Sequence, residues 1–251
     1  YWISGLLDMK MPELNTIICY DALETLKEWP DGFIDCVITS PPYNIGIDYG
    51  IYKANLSWDE YYKWCGGWLK EILRILKPDG RFCLNHYLSL GQSGHRHAPL
   101  MKLNEIAEKI GFKHHGIAIW TDITLTKRTA WGSWLSASAP YINSPYEGIL
   151  ILYKNRWKKD KEGKSTIGKE LFMKATSGIW NINPVHKSLT MANFPESLPG
   201  WCIQLLTYKN DLILDPFMGS GTTAYVARQL GRQFLGIELN PAYVKLAEKR
   251  L

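Results

Sequence analysis

The chain has 251 residues, with 29 lysines and arginines against 24 aspartates and glutamates, a formal charge of +5 at pH 7 and 46% hydrophobic residues. That length suits one domain with at most a modest insertion, and that composition excludes a disordered or low-complexity chain. No apolar run approaches the ~18 residues needed to cross a bilayer, and Tyr1 to Glu13 lacks the order of a secretory signal, so a cytoplasmic protein with no membrane partner is expected.

Alternating short β runs and amphipathic helices predict an α/β fold with a largely parallel sheet. Thr16 to Cys19 and Ile34 to Thr39 read as buried strands around a short helix that begins near Asp21. Ser57 to Leu76 is the strongest helix. Ser57 and Glu60 have capping-box spacing, and Tyr61, Trp64, Trp68, Leu69, Ile72 and Leu76 recur at helical intervals until Lys77-Pro-Asp-Gly80 ends the run. Arg81 to Tyr87 follows as a strand, then a helix with Leu100, Leu103, Ile106, Ala107 and Ile110 on one face, closed by Gly111. Two more strands are expected at His115 to Trp120 and Gly148 to Tyr153. Residues 121–147 and 155–200, rich in Ser, Thr, Asn, Pro, Gly and Trp, show little periodicity and read as candidate substrate-facing insertions. Order returns with the strand leading to Asp215, a helix through Leu230, the β run Phe234 to Leu239 and a closing helix to Leu251. The five cysteines, Cys19, Cys36, Cys65, Cys83 and Cys202, form no C-x-x-C pair, and reduced, mostly packed thiols are expected.

Two segments carry chemistry. Asp215-Pro-Phe-Met-Gly-Ser-Gly-Thr-Thr223 joins a strand to a helix through glycines that let a ligand approach the backbone, while the helix start offers free N–H groups. It lacks the lysine of a phosphate-cradling loop and is not G-x-G-x-x-G; taken alone it is equally a tight turn. Glu238, 17 residues beyond Gly221 at the end of the next β run, can accept both hydroxyls of a ribose, or act simply as an acid at a helix start. The second segment, Thr39-Ser-Pro-Pro-Tyr-Asn44, ends a strand with two prolines that fix an extended loop. There the Ser40 hydroxyl and the Pro41 carbonyl could take both N–H bonds of a planar amine while Tyr43 stacks on its ring; the plain alternative is a surface turn.

Together these motifs resemble the S-adenosylmethionine-dependent DNA amino-methyltransferases, in the permuted β-class order with the catalytic loop before the cofactor loop. The resemblance spans nearly the whole chain. It implies a Rossmann-like methyltransferase fold: a mostly parallel twisted sheet with helices on both faces, one catalytic domain over 1–251, and small DNA target-recognition insertions at 121–147 and 155–200. S-adenosylmethionine is the implied cofactor, leaving as S-adenosylhomocysteine. By the same resemblance Ser40, Pro41, Pro42 and Tyr43 form the catalytic loop. The implied cofactor positions are Asp21, Ala22 and Thr39, then Phe194, Pro195 and Ser197, then Asp215, Pro216, Phe217, Gly219, Ser220, Gly221 and Thr222, and finally Glu238, Leu239 and Asn240. His186 matches only across a gap.

Ser-Pro-Pro-Tyr in place of Asp-Pro-Pro-Tyr, with Phe-Pro-x-x-Leu-Pro, implies the N4 amine of cytosine as the target. N6 of adenine is the alternative, and a catalytically silent DNA-binding protein or a protein-glutamine methyltransferase a further one. The expected partner is DNA, double-stranded with a flipped base; a homodimer and a cognate restriction endonuclease stay open as partners. Neither a catalytic cysteine nor a metal is expected, because a freshly methylated amine sheds its proton to water or Ser40. Eight basic and three acidic residues between Lys154 and Lys174 read either as a solvated loop or as a phosphate-binding patch. Lys127, Arg128, Arg156, Lys158 and Lys159 are the phosphate-contact candidates, with Trp131, Ser133 and Trp134 beside them. Trp120, Trp131, Trp134, Trp157 and Trp180 either touch DNA or pack the insertions, and His95, Arg96 and His97 read as a Gly-rich loop near the active face rather than metal ligands.

Overall fold

A computed structural model describes residues 11–46, 56–91, 96–121, 132–183 and 194–251. In chain order the elements are β1 (Thr16–Cys19), α1 (Ala22–Lys27), β2 (Ile34–Thr39), α2 (Trp58–Ile75), β3 (Leu76–Tyr87), α3 (Pro99–Ile110), β4 (Lys113–Thr121), β5 (Tyr146–Tyr153), α4 (Lys169–Ala175), β6 (Ile179–Asn181), α5 (Ser197–Leu206), β7 (Leu212–Asp215), α6 (Thr222–Gln229), β8 (Gln233–Glu238) and α7 (Pro241–Arg250). Eight strands form one sheet in the order β1-β8-β7-β2-β3-β5-β4-β6. The first five in that order run parallel, whereas β5 is antiparallel to both β3 and β4. The sheet is thus mixed at one side.

Alternation along the strands explains why both faces are covered. Val37, Phe82, Leu84, Leu150, Leu152, Leu212, Leu214, Leu235 and Ile237 point into a core shared with α1, α2 and α3. Their neighbours Cys36, Ile38, Cys83, Ile149, Ile151, Ile213 and Phe234 point into a second core shared with α5 and α6. In α2 the predicted capping box is present, and Tyr61, Cys65, Trp68, Leu69, Ile72 and Ile75 are buried. Each such side chain contributes about 1.5–3 kcal/mol.

The sheet is mostly parallel, as expected: only the two pairings of β5 are antiparallel, because the β4–β5 connection returns the chain beside β3. The structure departs from expectation in two places. The chain passes from α2 into β3 without a loop, because the residue before Pro78 is forced extended and Leu76 already pairs with Ile34. Residues 155–200 also hold α4, β6 and the start of α5. These elements are short, and α5 is apolar almost all round, so helical periodicity could not reveal it. The five cysteines are free, four buried and Cys19 exposed. No helix among the described residues is long and apolar enough to cross a membrane.

Candidate active site

From β2 the chain moves to β3 on one side, and from β7 to β8 on the other, so the sheet changes direction between β2 and β7. Ligands of open α/β sheets bind at such a switch point, beyond the carboxyl ends of the strands. Both sequence motifs end there. Thr39 closes β2, Asp215 closes β7, and the Thr39 hydroxyl donates to Asp215 Oδ1 at 2.6 Å. The Thr223 hydroxyl donates to Asp215 Oδ2 at 2.6 Å, and Phe217 N–H to Oδ1 at 3.1 Å. One carboxylate therefore ties the two loops and the start of α6 together. Burial holds the Asp215 carboxyl up at about 6, against these three donors, which pull it down.

The glycine loop rises from this clasp to the next strand. Gly219 N–H donates to Glu238 Oε2 at 2.8 Å, Asn240 N–H to Oε1 at 2.8 Å, and Met218 N–H to the Ile237 carbonyl. Burial raises the Glu238 carboxyl above its ordinary value, opposed by the N–H donors of Asn240, Gly219 and Leu239. The two loop glycines divide the work. Gly219 (φ +55°) has no protein atom within 4 Å of where a Cβ would stand, an open cradle, whereas a Cβ at Gly221 (φ +81°) would meet Ala247 of α7 at 2.8 Å. Only Gly219 fits the expected approach of a ligand. Below the loop, a Cβ on Gly236 would overlap the Met218 sulfur. Phe217 packs against Trp64 and Trp68 of α2, with ring centroids at 5.5 and 5.4 Å.

Other cofactor candidates share this rim. Asp21 follows β1 and caps α1, accepting from Glu24 N–H, with Ala22 buried beside it. Cys19 pairs with Glu238, which sets Asp21 next to the Glu238 turn. Phe194 and Pro195 lead into α5; Ser197 is exposed at its first position. Arg250 links this segment to the glycine loop through Glu196 at 2.6 Å and Thr222 Oγ1 at 3.1 Å. His186 lies outside the described residues.

The Ser40–Tyr43 loop is held from beneath. Tyr61 of α2 donates to the Pro42 carbonyl at 3.1 Å and lies 3.0 Å from His86 Nε2. A carbonyl can only accept, so the Tyr61 proton is committed and His86 carries its hydrogen on Nε2. Burial drives the His86 pKa down to about 3, which keeps the ring neutral. Tyr43 corrects an expectation. Its ring is only 6% exposed, packed against His86 at 4.3 Å and Tyr87 at 4.9 Å, so it offers no open stacking face. Its hydroxyl instead lies 2.7 Å from both Ser40 Oγ and Glu147 Oε2, while Asn85 Nδ2 donates to the phenol oxygen at 3.0 Å and to Glu147 at 2.7 Å.

A family model described as DNA methylase, for N6 and N4 methyltransferases, matches residues 34–249. The chain belongs to this DNA methylase family. The methylase is 45% identical to the Type II methyltransferase M.MjaVI of Methanocaldococcus jannaschii over 153 residues, covering 60% of the chain and 77% of the relative. It is 30% identical to the Type II methyltransferase M.ScaI of Streptomyces caespitosus over 257 residues, covering 95% and 82%. Among solved structures, TTHA0409 of Thermus thermophilus, a DNA modification methylase by description, superposes with a TM-score of 0.76 at 26% identity, covering 93% and 92%. The cytosine-N4-specific PvuII DNA methyltransferase shares the fold, with a TM-score of 0.73 at 24% identity over 94% and 86%.

The basic run of the methylase lies elsewhere than predicted. Asn155 and Arg156 N–H donate to the Pro78 carbonyl, and Asp160 N–H to Asp79, at the amino ends of the parallel strands, about 15–20 Å from Ser40. Lys159 is corrected outright: its side chain is 7% exposed and faces Asp211 at 3.4 Å and Asp35 at 3.8 Å, so it cannot meet phosphate. Arg156 pairs with Asp160, and Lys158 sits on the same remote rim. Lys127, Arg128, Trp131 and His95 lie outside the described residues. Trp120 and Trp180 are core residues and Trp157 stacks on His115 at 3.4 Å, whereas Trp134 is exposed in the turn closed by the Gly132–Pro140 bridge, with Ser133 beside it. Arg96 ties that turn's exit, donating to the Ile142 carbonyl and Ser144 Oγ.

Sequence reasoning missed Tyr61, Asn85, His86, Glu147 and Thr223 as site residues. Their signal was present but faint: Asn85-His86 interrupts an apolar strand at its carboxyl end, and Glu147 precedes the apolar run of β5.

Proposed function

We propose that the protein transfers a methyl group from S-adenosylmethionine to the exocyclic N4 of a cytosine flipped out of double-stranded DNA, by direct in-line transfer. The observation that carries this reading is the Thr39–Asp215 bond, which sets the Ser40-Pro41-Pro42-Tyr43 loop beside the Asp215–Thr223 loop at the switch point of the sheet. S-adenosylmethionine supplies, when bound, an electrophilic methyl carbon on a sulfonium.

The residues present fit that cofactor. Asp21 and Ala22 would hold its adenine, Glu238 with Leu239 and Asn240 its ribose, and Thr39, Phe194, Pro195 and Ser197 its methionine end. Pro216, Phe217, Gly219, Ser220, Gly221 and Thr222 form the loop beneath it, with an open space at Gly219. Two carboxylates on this rim, the buried Asp215 and the half-buried Glu238, make no ion pair with a cation among the described residues, which suits a positively charged ligand.

Ser40 Oγ and the Pro41 carbonyl accept the two N–H bonds of the target amine, drawing its lone pair out of ring conjugation and towards the methyl carbon. Positioning of this kind accounts for on the order of 7–11 kcal/mol of a barrier. Serine rather than aspartate at the head of the loop supports cytosine over adenine. Ser133 and Trp134, in an exposed turn leading into β5 at the same rim, serve as DNA contacts. In this reading residues 1–251 act as one catalytic domain in the cytoplasm, with duplex DNA as the macromolecular substrate. Mass spectrometry of nucleosides from duplex DNA treated with protein and S-adenosylmethionine tests the reading. N4-methylcytosine is expected; N6-methyladenine would move the target to adenine, and neither product would overturn the activity.

A further inference from the structure

We propose that Glu147 is a positioning residue of the methyl-transfer site: through Tyr43 it fixes Ser40 Oγ as a pure hydrogen-bond acceptor and takes up the proton that the methylated amine releases. The inference rests on the proposed function and on a chain of short contacts, Ser40 Oγ to Tyr43 Oη at 2.7 Å and Tyr43 Oη to Glu147 Oε2 at 2.7 Å. Asn85 Nδ2 braces it from the side, bonding both the phenol oxygen and the carboxylate.

With Glu147 ionised before transfer, as proton uptake requires, the direction of every proton in this chain follows. An ionised carboxylate only accepts and an amide NH₂ only donates. The single Tyr43 proton must therefore point at Glu147, and the phenol oxygen can only receive, from Asn85 and from Ser40. The Ser40 proton is in turn committed to Tyr43, so Ser40 presents nothing but lone pairs to a substrate. A base edge offering a carbonyl or an unprotonated ring nitrogen finds no donor there; an exocyclic NH₂ does find an acceptor. The serine thus selects amines because of a residue 107 positions away in sequence, and hydrogen bonds aligned head to tail strengthen its accepting power.

The same chain conducts the proton out. As the N–C bond forms and the C–S bond breaks, the amine nitrogen becomes cationic. Its proton passes to Ser40 Oγ while the Ser40 proton passes to Tyr43 and the Tyr43 proton to Glu147, leaving a neutral methylated amine and a neutral carboxylic acid. Glu147 is half-buried as the second residue of β5, opposite Tyr87 in the register, and from there returns the proton to solvent before the next turnover. The Tyr43 phenol is pushed well above its ordinary value, by burial and by the Glu147 charge, so it stays protonated and relays without ionising.

Single-turnover methylation of duplex DNA from about pH 5 to 9 by wild type, Glu147→Gln and Tyr43→Phe, with cofactor affinity by calorimetry and tyrosine ionisation by ultraviolet difference absorbance, tests the relay. Both variants should lose roughly 10- to 100-fold in rate at high pH and lose the acid limb of the profile, with cofactor affinity unchanged. Independently of activity, one tyrosine should ionise at lower pH in Glu147→Gln than in wild type, and Tyr43→Phe identifies it by its absence. A Glu147→Gln protein with wild-type rate and profile, an unmoved tyrosine titration, or a loss confined to cofactor binding would each overturn the relay while leaving the activity standing. A wild-type protein that methylates no DNA would overturn both.

Discussion

At the amino rim of the sheet, Asp35 is 8% exposed, takes Leu212 N–H, and faces Lys77 at 2.8 Å and Lys159 at 3.8 Å. At the carboxyl rim, Asp215 is 2% exposed and is met by two hydroxyls and one N–H. The two acids are about equally secluded and differ in company. Where the chain supplies its own cations, charge is spent on holding strands in place; where it supplies only neutral donors, a negative field is left standing for something that binds. Seclusion of a carboxylate is therefore no guide to function until its partners are known.

Mutations at the two rims should separate accordingly. The largest effect is expected from Asp215→Ala, which strands the Thr39 and Thr223 hydroxyls and uncouples the two loops. S-adenosylmethionine affinity should fall by at least about 100-fold by calorimetry, roughly 3 kcal/mol or more. Asp35→Ala should lower stability by a similar 3 kcal/mol or so in urea unfolding, because Lys159 and Leu212 N–H lose a buried partner, yet leave the cofactor affinity of the folded protein unchanged. Equal cofactor losses in the two variants would erase the distinction between the rims.

Ionisation sharpens the contrast. The Asp215 value of about 6 lies above its unfolded value of 3.8, so this group favours the folded state fully below 3.8 and loses that contribution, on the order of 3 kcal/mol, as pH rises towards 6. A cationic ligand prefers the ionised form. Cofactor affinity should accordingly weaken as pH falls below about 6, by up to tenfold per pH unit, and carbon NMR of labelled aspartate should show the Asp215 midpoint dropping when S-adenosylmethionine is added. Tyr61→Phe frees the Pro42 carbonyl and should slow methyl transfer by about tenfold while sparing cofactor affinity. The smallest change is expected from Arg156→Ala with Lys158→Ala: DNA affinity within about twofold of wild type, since both residues sit on the rim away from the catalytic loop.

How far the sequence revealed this arrangement depends on the range of the forces involved. Capping, helical spacing and strand alternation act over a few residues, so α2, β2, β7 and their terminal loops were legible, and the pairing of Ser-Pro-Pro-Tyr with the glycine loop pointed to one rim. The Thr39–Asp215 bond spans 176 residues and the Tyr43–Glu147 bond 104, and nothing local marks either. Basic residues misled for the opposite reason. Charge density along the chain is visible in sequence, but whether Lys159 faces solvent or two aspartates is decided by how β3 and β5 bring residues 154–160 beneath the strands.

Gly236 lies inside β8, and the Met218 side chain rests where its Cβ would be. The missing methyl of a strand residue thereby makes room for the Met218 side chain under the glycine loop. A side chain at 236 would first have to displace the end of Met218, so the flexible thioether, not the loop backbone, is what meets any added thickness in the strand beneath.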